Sequence, residues 1–193
     1  MDGDLSQKTD EELAFLVQGN NNDAFGVLMD RYQPKLLRYG RKFLTRDEHI
    51  EDAVQDIFIK TYKNMKGYDA ARKFSPWIYR IAHNAFVNTL RDRSRDPVTY
   101  FDLDALVVHP SYEFDPAEEE DKKRMTELVS RGLQSLTPSY REVLILYYLE
   151  DLSYQEIADV LHIPTGTVGV RLRRAKEVLK KQLGGEWSGE QII

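Results

Sequence analysis

In the stretch KFSPWIYRIAHN, Lys73 to Asn84, the aromatic residues Phe74, Trp77 and Tyr79 sit among Lys73, Arg80 and His83, and an amide closes it at Asn84. Arg80, Asn84, Asn88, Arg91 and Arg95 recur at i, i+4, i+8, i+11 and i+15, one polar stripe along a helix. A helix start crowded with aromatic and basic groups is not what a core segment needs, and the residue types alone leave open what it touches. A second set lies in TGTVGVRLRRAKEVLKK, where Thr167, Val170, Arg171, Arg173, Arg174 and Lys181 occupy the outer side of a helix. A short helix with its N-terminal half exposed and arginines along it is what reading a major groove requires. A third face, Asp52, Gln55, Asp56, Ile59 and Lys63, places an outward isoleucine beside two acids and an amide, which is unusual for a merely solvated surface.

These side chains need helices to hold them. Ser75 suits an N-cap and Pro76 the first helical position, with Phe74 and Tyr79 at the two positions of a hydrophobic staple. The helix they open is predicted to run to about Arg93, with Ile78, Ile81, Ala82 and Ala85 turned toward a core. Upstream, Ile50, Ala53, Val54, Ile57, Phe58 and Thr61 recur at i, i+3, i+4, i+7, i+8 and i+11, the stripe of a half-buried helix. Before that come a short amphipathic piece, Glu11 to Val17, and a longer one, Ala24 to Leu44, interrupted by Pro34. In the second half, Ser153 and Glu156 form a capping box that starts a helix over Tyr154 to Leu161. HIPT breaks it, Thr165 can cap the next helix, and Val168, Leu172, Ala175 and Leu179 face inward. That is the two-helix pattern of a helix-turn-helix; an ordinary helical hairpin with basic solvated residues is the bland alternative. A further helix, Tyr140 to Leu149, precedes it.

The chain has 193 residues, 41% hydrophobic and 31% charged, enough for one domain or two small ones. No apolar run approaches the roughly 18 residues of a membrane span. The acidic start MDGDLSQKTDEE is unlike a signal peptide. The absence of cysteine removes disulfides and thiolate metal sites and fits a reducing cytoplasm. Net charge is −5, yet its distribution is uneven. Residues 60–95 carry nine Lys/Arg against Asp69 and Asp92, and residues 165–183 carry six against Glu177. Between them, residues 101–121 carry eight acids and no base. Two basic blocks imply two contacts with polyanion, one in each half, with solvated helix faces as the alternative. Pro97, Pro110 and Pro116 interrupt any period over 96–116, which reads as a tether; helical character returns at about Ala117, and GGEWSGEQII reads as a frayed tail. His49, His83, His109 and His162 are scattered without ligand spacing, and no phosphate loop or activated nucleophile is visible, so neither an enzyme nor a metal or cofactor site is expected.

Taken in order, DAFGVLMDRY, EDAVQDIFIKTYKN and FSPWIYRIAHNAFVNTLRDRSR resemble region 2 of bacterial sigma factors of the extracytoplasmic-function group. LTPSYREVLILYYLEDLSYQEIADVLHIPTGTVGVRLRRAKEVL resembles their region 4. The likeness covers about Glu12 to Leu183. It implies an all-α fold of two small helical domains on a flexible acidic linker: region 2 over 8–95, linker 96–117, region 4 over 118–183 and a tail 184–193. It further implies that Asn84 and the loop Gly67 to Phe74 line a pocket for a flipped base of the −10 element, with Tyr68, Arg72, Lys73, Phe74, Arg80, Asn84, Asn88, Arg91 and Arg95 as DNA contacts. Trp77 reads as core rather than contact, and Tyr79 as the staple. Thr165, Thr167, Val170, Arg171, Arg173 and Arg174 would meet the −35 element. Asp52, Gln55, Asp56 and Ile59 would grip the clamp helices of the polymerase β′ subunit, whereas Glu48 and Glu51 fit a helix-terminal role. Core polymerase (β′ clamp helices and β flap), promoter DNA and an anti-sigma factor are the implied partners, in the cytoplasm and without membrane contact. The linker acids would mimic nucleic acid in the polymerase channels, so neutralising Asp102, Asp104, Asp115 and Glu118–Glu120 is expected to alter abortive initiation.

One segment departs from the group. After GTV a basic and then a small polar residue are usual, but here stand Gly169 and Val170, and Arg173 replaces an apolar or aromatic residue. Neither Gly169 nor Val170 can donate a hydrogen bond to a base, although Val170 can pack on a thymine methyl. An unusual −35 preference is therefore expected. The competing reading is a stand-alone helix-turn-helix regulator with an N-terminal helical sensing domain. It would bind duplex DNA without polymerase and would need no exposed Asp/Gln/Ile face.

Overall fold

The computed structural model describes residues 4–44, 46–92, 132 and 136–182, with the side chains of 91 and 92 excepted. The expectations for the linker, the helix resuming near Ala117, the tail and Arg95 lie outside these residues. The chain divides into two compact units, residues 1–100 and 101–193. Among the described residues the regular structure is wholly helical, and no helix is long and apolar enough to cross a membrane.

In the first unit a 3-10 turn, Leu5–Gln7, precedes α1 (Asp10–Gln18), α2 (Asn22–Gly40), α3 (Asp47–Asn64), a second 3-10 turn (Met65–Gly67) and α4 (Phe74–Asp92). Local chemistry sets most of these starts. Thr9 and Glu12 form a reciprocal capping box on α1, with Glu12 N–H donating to Thr9 Oγ1 at 3.2 Å and Thr9 N–H to Glu12 Oε2 at 2.8 Å. The Asn21 side chain accepts from the Ala24 amide to cap α2. Asn20, between these helices, adopts a left-handed conformation with φ 68°, which asparagine tolerates better than most residues.

The core lies between the helices. Ala24, Leu28, Tyr32, Leu36 and Tyr39 bury one face of α2, and the whole expected stripe of α3, Ile50 to Thr61, is buried against it. From α4 come Ile78, Tyr79, Ala82, Ala85 and Phe86, with Ile81 only half-buried. Aromatic rings fill the centre: Tyr39 meets Tyr79 edge-on at 5.3 Å, and Phe86 stacks on Phe43 at 5.4 Å.

The first unit departs from the sequence expectation at α2 and at the start of α4. Pro34 lies inside a continuous α2. It is exposed, and the buried Tyr32 and Leu36 on either side hold the helix through it, so packing outweighs one missing backbone bond. The same helix stops at Gly40, short of Leu44. α4 opens at Phe74 rather than at Pro76, so Ser75 lies inside its first turn beside the Tyr32 hydroxyl instead of capping it. The staple also dissolves: Phe74 packs on Tyr32, Tyr68 and Trp77, whereas Tyr79 packs on Tyr39.

The second unit holds α5 (Pro138–Tyr148), α6 (Tyr154–Leu161) and α7 (Thr165–Gln182). Pro138 opens α5, where its missing N–H costs nothing. The capping box on α6 is formed as expected: Ser153 N–H donates to Glu156 Oε2 at 2.7 Å and Glu156 N–H to Ser153 Oγ at 3.3 Å. His162 ends α6 in the left-handed conformation, its amide bonded to Ala158 O, which turns the chain sharply into α7. Val168, Leu172, Ala175 and Leu179 are all buried. Arg141 is buried too, donating from Nη2 to Leu136 O at 3.0 Å, and desolvation draws its pKa below the ordinary value.

Candidate functional site

Three surfaces carry the candidate residues, two on the first unit and one on the second. On α4, Arg80, Asn84 and Asn88 are exposed along one line, the polar stripe read from the spacing. Arg72 and Lys73, in the loop before α4, are exposed as well. The aromatic candidates behave differently. Phe74 is fully buried and Tyr68 is 5% exposed, so in this state neither offers a ring face for stacking. They form a cluster with Trp77, Tyr68 lying 4.9 Å and Phe74 5.6 Å from its ring. The Tyr68 hydroxyl donates to Arg72 O, and burial together with nearby Glu11, Asp69 and Asp10 pushes its pKa far above the usual phenol range. It stays a neutral donor and braces the loop. The aromatic cluster is therefore the floor under the basic loop. Trp77 is half-buried in that floor, packed on Tyr68 and Phe74 with part of its ring still accessible. The side chain of Arg91, and Arg95 altogether, fall outside the described residues.

The second surface runs along α3. Asp52, Gln55, Asp56 and Ile59 are all exposed on the side away from the core, Ile59 at 51%. Gln55 and Ile59 form part of the wall of an open groove of about 660 Å³ between α2 and α3, whose apolar lining includes Phe25, Met29, Phe58 and Tyr62. Tyr62 closes one end, its hydroxyl donating to Asn22 Oδ1 at 2.9 Å and its ring edge-on to Phe25. An acidic ridge beside an apolar trough fits a partner helix with basic and apolar sides. The spacing pointed to Ile59, but the trough needed α2 and α3 placed side by side. Asp47 and Glu48 lie in the first turn of α3, where they serve the helix dipole.

The third surface is the helix pair α6–α7. Val170 is 43% exposed, Arg173 and Arg174 are exposed, and Thr165, Thr167 and Arg171 are half-exposed. Thr165 stands at the first position of α7, its hydroxyl donating to Gln155 Oε1 at 3.0 Å. It lies inside the helix rather than at the preceding cap position expected from the sequence, and it ties the two helices together. Arg174 donates to the Tyr140 hydroxyl at 3.3 Å, which fixes one end of the basic row to α5. Gly169 has a neighbour that sequence reasoning missed. A Cβ added there would lie 3.5 Å from the Tyr154 ring, an ordinary contact, and Tyr154 is itself 41% exposed. The bare backbone of Gly169 is thus flanked by an accessible phenol.

Residues 28–96 match the family Sigma-70 region 2, and residues 126–179 match Sigma-70, region 4. The chain is 34% identical over 175 residues to the ECF RNA polymerase sigma factor SigW of Bacillus subtilis, a likeness covering 86% of this chain and 92% of that protein. It is 31% identical over 185 residues to the ECF RNA polymerase sigma-E factor of Escherichia coli K12, covering 92% and 95%. Among solved structures it is similar to CnrH in complex with the cytosolic domain of CnrY, at 27% identity and TM-score 0.62, over 93% of this chain and all of that one. Its fold also resembles the sigma factor RpoE of Bartonella quintana, solved with the anti-sigma factor NepR, at 22% identity and TM-score 0.64, over 84% and 98%.

Proposed function

This chain belongs to the ECF RNA polymerase sigma factors of the sigma-70 family, and on that footing we propose how its three surfaces divide the work. The protein directs promoter-specific transcription initiation as a subunit of RNA polymerase. Region 2, over 8–95, docks on core polymerase through Asp52, Gln55, Asp56 and Ile59 and reads and melts the −10 element through the loop before α4 and the stripe Arg80, Asn84, Asn88, Arg91 and Arg95. Region 4, over 118–183, reads the −35 element through α7. The observation that carries this division is the acidic ridge of α3 beside the apolar α2–α3 groove, on the same unit as the basic stripe of α4. A free-standing regulator has no use for such a ridge. The clamp helices of β′ suit it, since arginines there would meet the acids and apolar side chains the trough. An anti-sigma factor is a further expected partner, in keeping with CnrH having been solved in complex with another protein, the cytosolic domain of CnrY. The site of action follows from the polymerase and is cytoplasmic.

In the melting step, DNA opened at the −10 element presents an unpaired base to Asn84. Its amide can both donate to and accept from a base edge, while Arg80 and the loop cations hold the flanking phosphates. Replacing Asn84 with alanine is expected to weaken holoenzyme binding to the single non-template strand about tenfold, the size of one lost base contact. A fluorescence titration with labelled oligonucleotide checks it. Unchanged affinity would remove Asn84 from the pocket.

For the −35 element, Gly169→Lys with Val170→Ser restores the donors that the group usually presents. The ring of Tyr154, at ordinary contact distance from the new Cβ, leaves room for the lysine stem. Selection from DNA randomised at −35 is expected to yield a changed consensus at one or two positions, each discriminated about tenfold or more. An unchanged consensus would defeat the expectation that Gly169 and Val170 give this chain an unusual −35 preference, read mainly through Arg171, Arg174 and DNA shape.

A further inference from the structure

α1 lies outside every surface assigned above, yet its polar side chains reach the loop that precedes α4. Gln18 donates through Nε2 to two carbonyls at the start of that loop, Met65 O at 2.9 Å and Tyr68 O at 2.7 Å. Glu11 accepts the Phe74 amide on Oε1 at 2.9 Å, at the loop's far end. Glu11 and Gln18 are seven residues apart, two turns along one face of α1, and their spacing matches the span of the loop. Both are half-buried.

Each bond supplies something the loop lacks. Phe74 opens α4, so its amide is one of four with no partner inside the helix. No acid lies in the first turn of α4. Glu11 therefore contributes both the capping acceptor and the negative charge that the helix N-terminus favours. The Met65 and Tyr68 carbonyls bracket the turn out of α3, and one amide group holds both. Between these anchors the loop is braced internally: Asp69 accepts the Ala71 amide at 3.0 Å, and Tyr68 donates to Arg72 O. The result is a preformed loop, fastened at both ends from α1, with Arg72 and Lys73 turned to solvent.

We propose that Glu11 and Gln18 are positioning residues for −10 recognition: α1 presets the loop so that the site for the unpaired base exists before DNA arrives. This rests on the reading that the loop and Asn84 form that site. Preorganisation of this kind raises affinity by removing the cost of ordering the loop on binding. Neither residue touches DNA in this scheme.

The test uses holoenzyme assembled from core polymerase and the full chain. The probe is a labelled single-stranded pool randomised over the −10 hexamer, enriched first on the unaltered holoenzyme. Gln18→Met keeps the side-chain length and removes both donors; Glu11→Met removes the acceptor; Glu11→Gln keeps an acceptor without charge. The expected result is about tenfold weaker strand binding for Gln18→Met and Glu11→Met, with Glu11→Gln recovering most of the loss. Core affinity and binding to −35 duplex should stay within about twofold. Strand binding unchanged in both Met variants, with Asn84→Ala still weakened, overturns the proposal while leaving the −10 reading intact. No effect in Asn84→Ala either overturns both. A parallel loss of core affinity, or no recovery in Glu11→Gln together with a lowered melting temperature, reduces the two residues to general stability and overturns it as well.

Discussion

Asp56→Arg is expected to abolish stable association with core polymerase, with binding at least about a hundredfold weaker while the chain remains folded. Asp56 sits mid-helix on α3, exposed, and among the described residues it has no ion-pair partner within its own chain. Its loss therefore costs the fold almost nothing. At the interface the position differs. Close charge pairs between proteins couple by roughly 1.5–7 kcal/mol, and reversal adds repulsion to the lost attraction. Each 1.4 kcal/mol is about a factor of ten, so a hundredfold effect needs only the lower part of that range. Glu48→Arg, at the helix start, is the contrasting variant: it should lower stability slightly through the helix dipole and leave core binding nearly unchanged. Size-exclusion co-elution and a fluorescence titration with core polymerase separate the two. Full binding by Asp56→Arg would move the docking anchor elsewhere on the α2–α3 groove. No binding by the unaltered chain, with tight binding to duplex DNA alone, would favour the free-standing regulator.

Gly40→Ala should destabilise the first unit by about 1–3 kcal/mol, the usual cost of overpacking a tight core. A Cβ at Gly40 would lie 2.6 Å from Phe86 Cζ and 2.7 Å from Ile50 Cγ2, closer than carbon atoms can approach. Neither neighbour yields easily. Ile50 is 1% exposed and Phe86 fully buried, its ring stacked on Phe43 and edge-on to Tyr39. The small helix-propensity gain of alanine over glycine, about 1 kcal/mol at most, works against the clash without removing it. A domain of this size loses roughly 4–8 °C of melting temperature per kcal/mol, so near-UV circular dichroism of the full chain resolves the effect. Gly26→Ala is the internal reference. Nothing lies within 4 Å of its Cβ position, so the same exchange there should raise stability by up to about 1 kcal/mol. Pairing Gly40→Ala with Phe86→Leu should recover part of the loss; a Gly40→Ala chain as stable as the original would mean that α2, α3 and α4 can separate without cost.

The sequence by itself determined what is local or periodic. The buried stripe of α3 from Ile50 to Thr61, the inward set Val168, Leu172, Ala175 and Leu179, and the Ser153–Glu156 capping box all stand in the structure as read. Each depends on residues within one or two helical turns, where spacing dictates geometry. The Thr9–Glu12 box was equally readable by the same rule. The polar line Arg80, Asn84, Asn88 and the acidic face of α3 were also legible, since an exposed row is whatever a buried stripe leaves over. The tertiary structure decided the rest. It put Phe74 and Tyr68 under the loop instead of on its surface, because aromatic area is worth more in the core than in water. It carried α2 through Pro34, drew α2, α3 and α4 together until only glycine fits at position 40, and opened a trough beside Ile59. It also joined Gln18 and Glu11 to backbone groups 47 to 63 residues away. No periodicity marks such bonds, because they exist only once packing has brought distant segments within about 3 Å of each other.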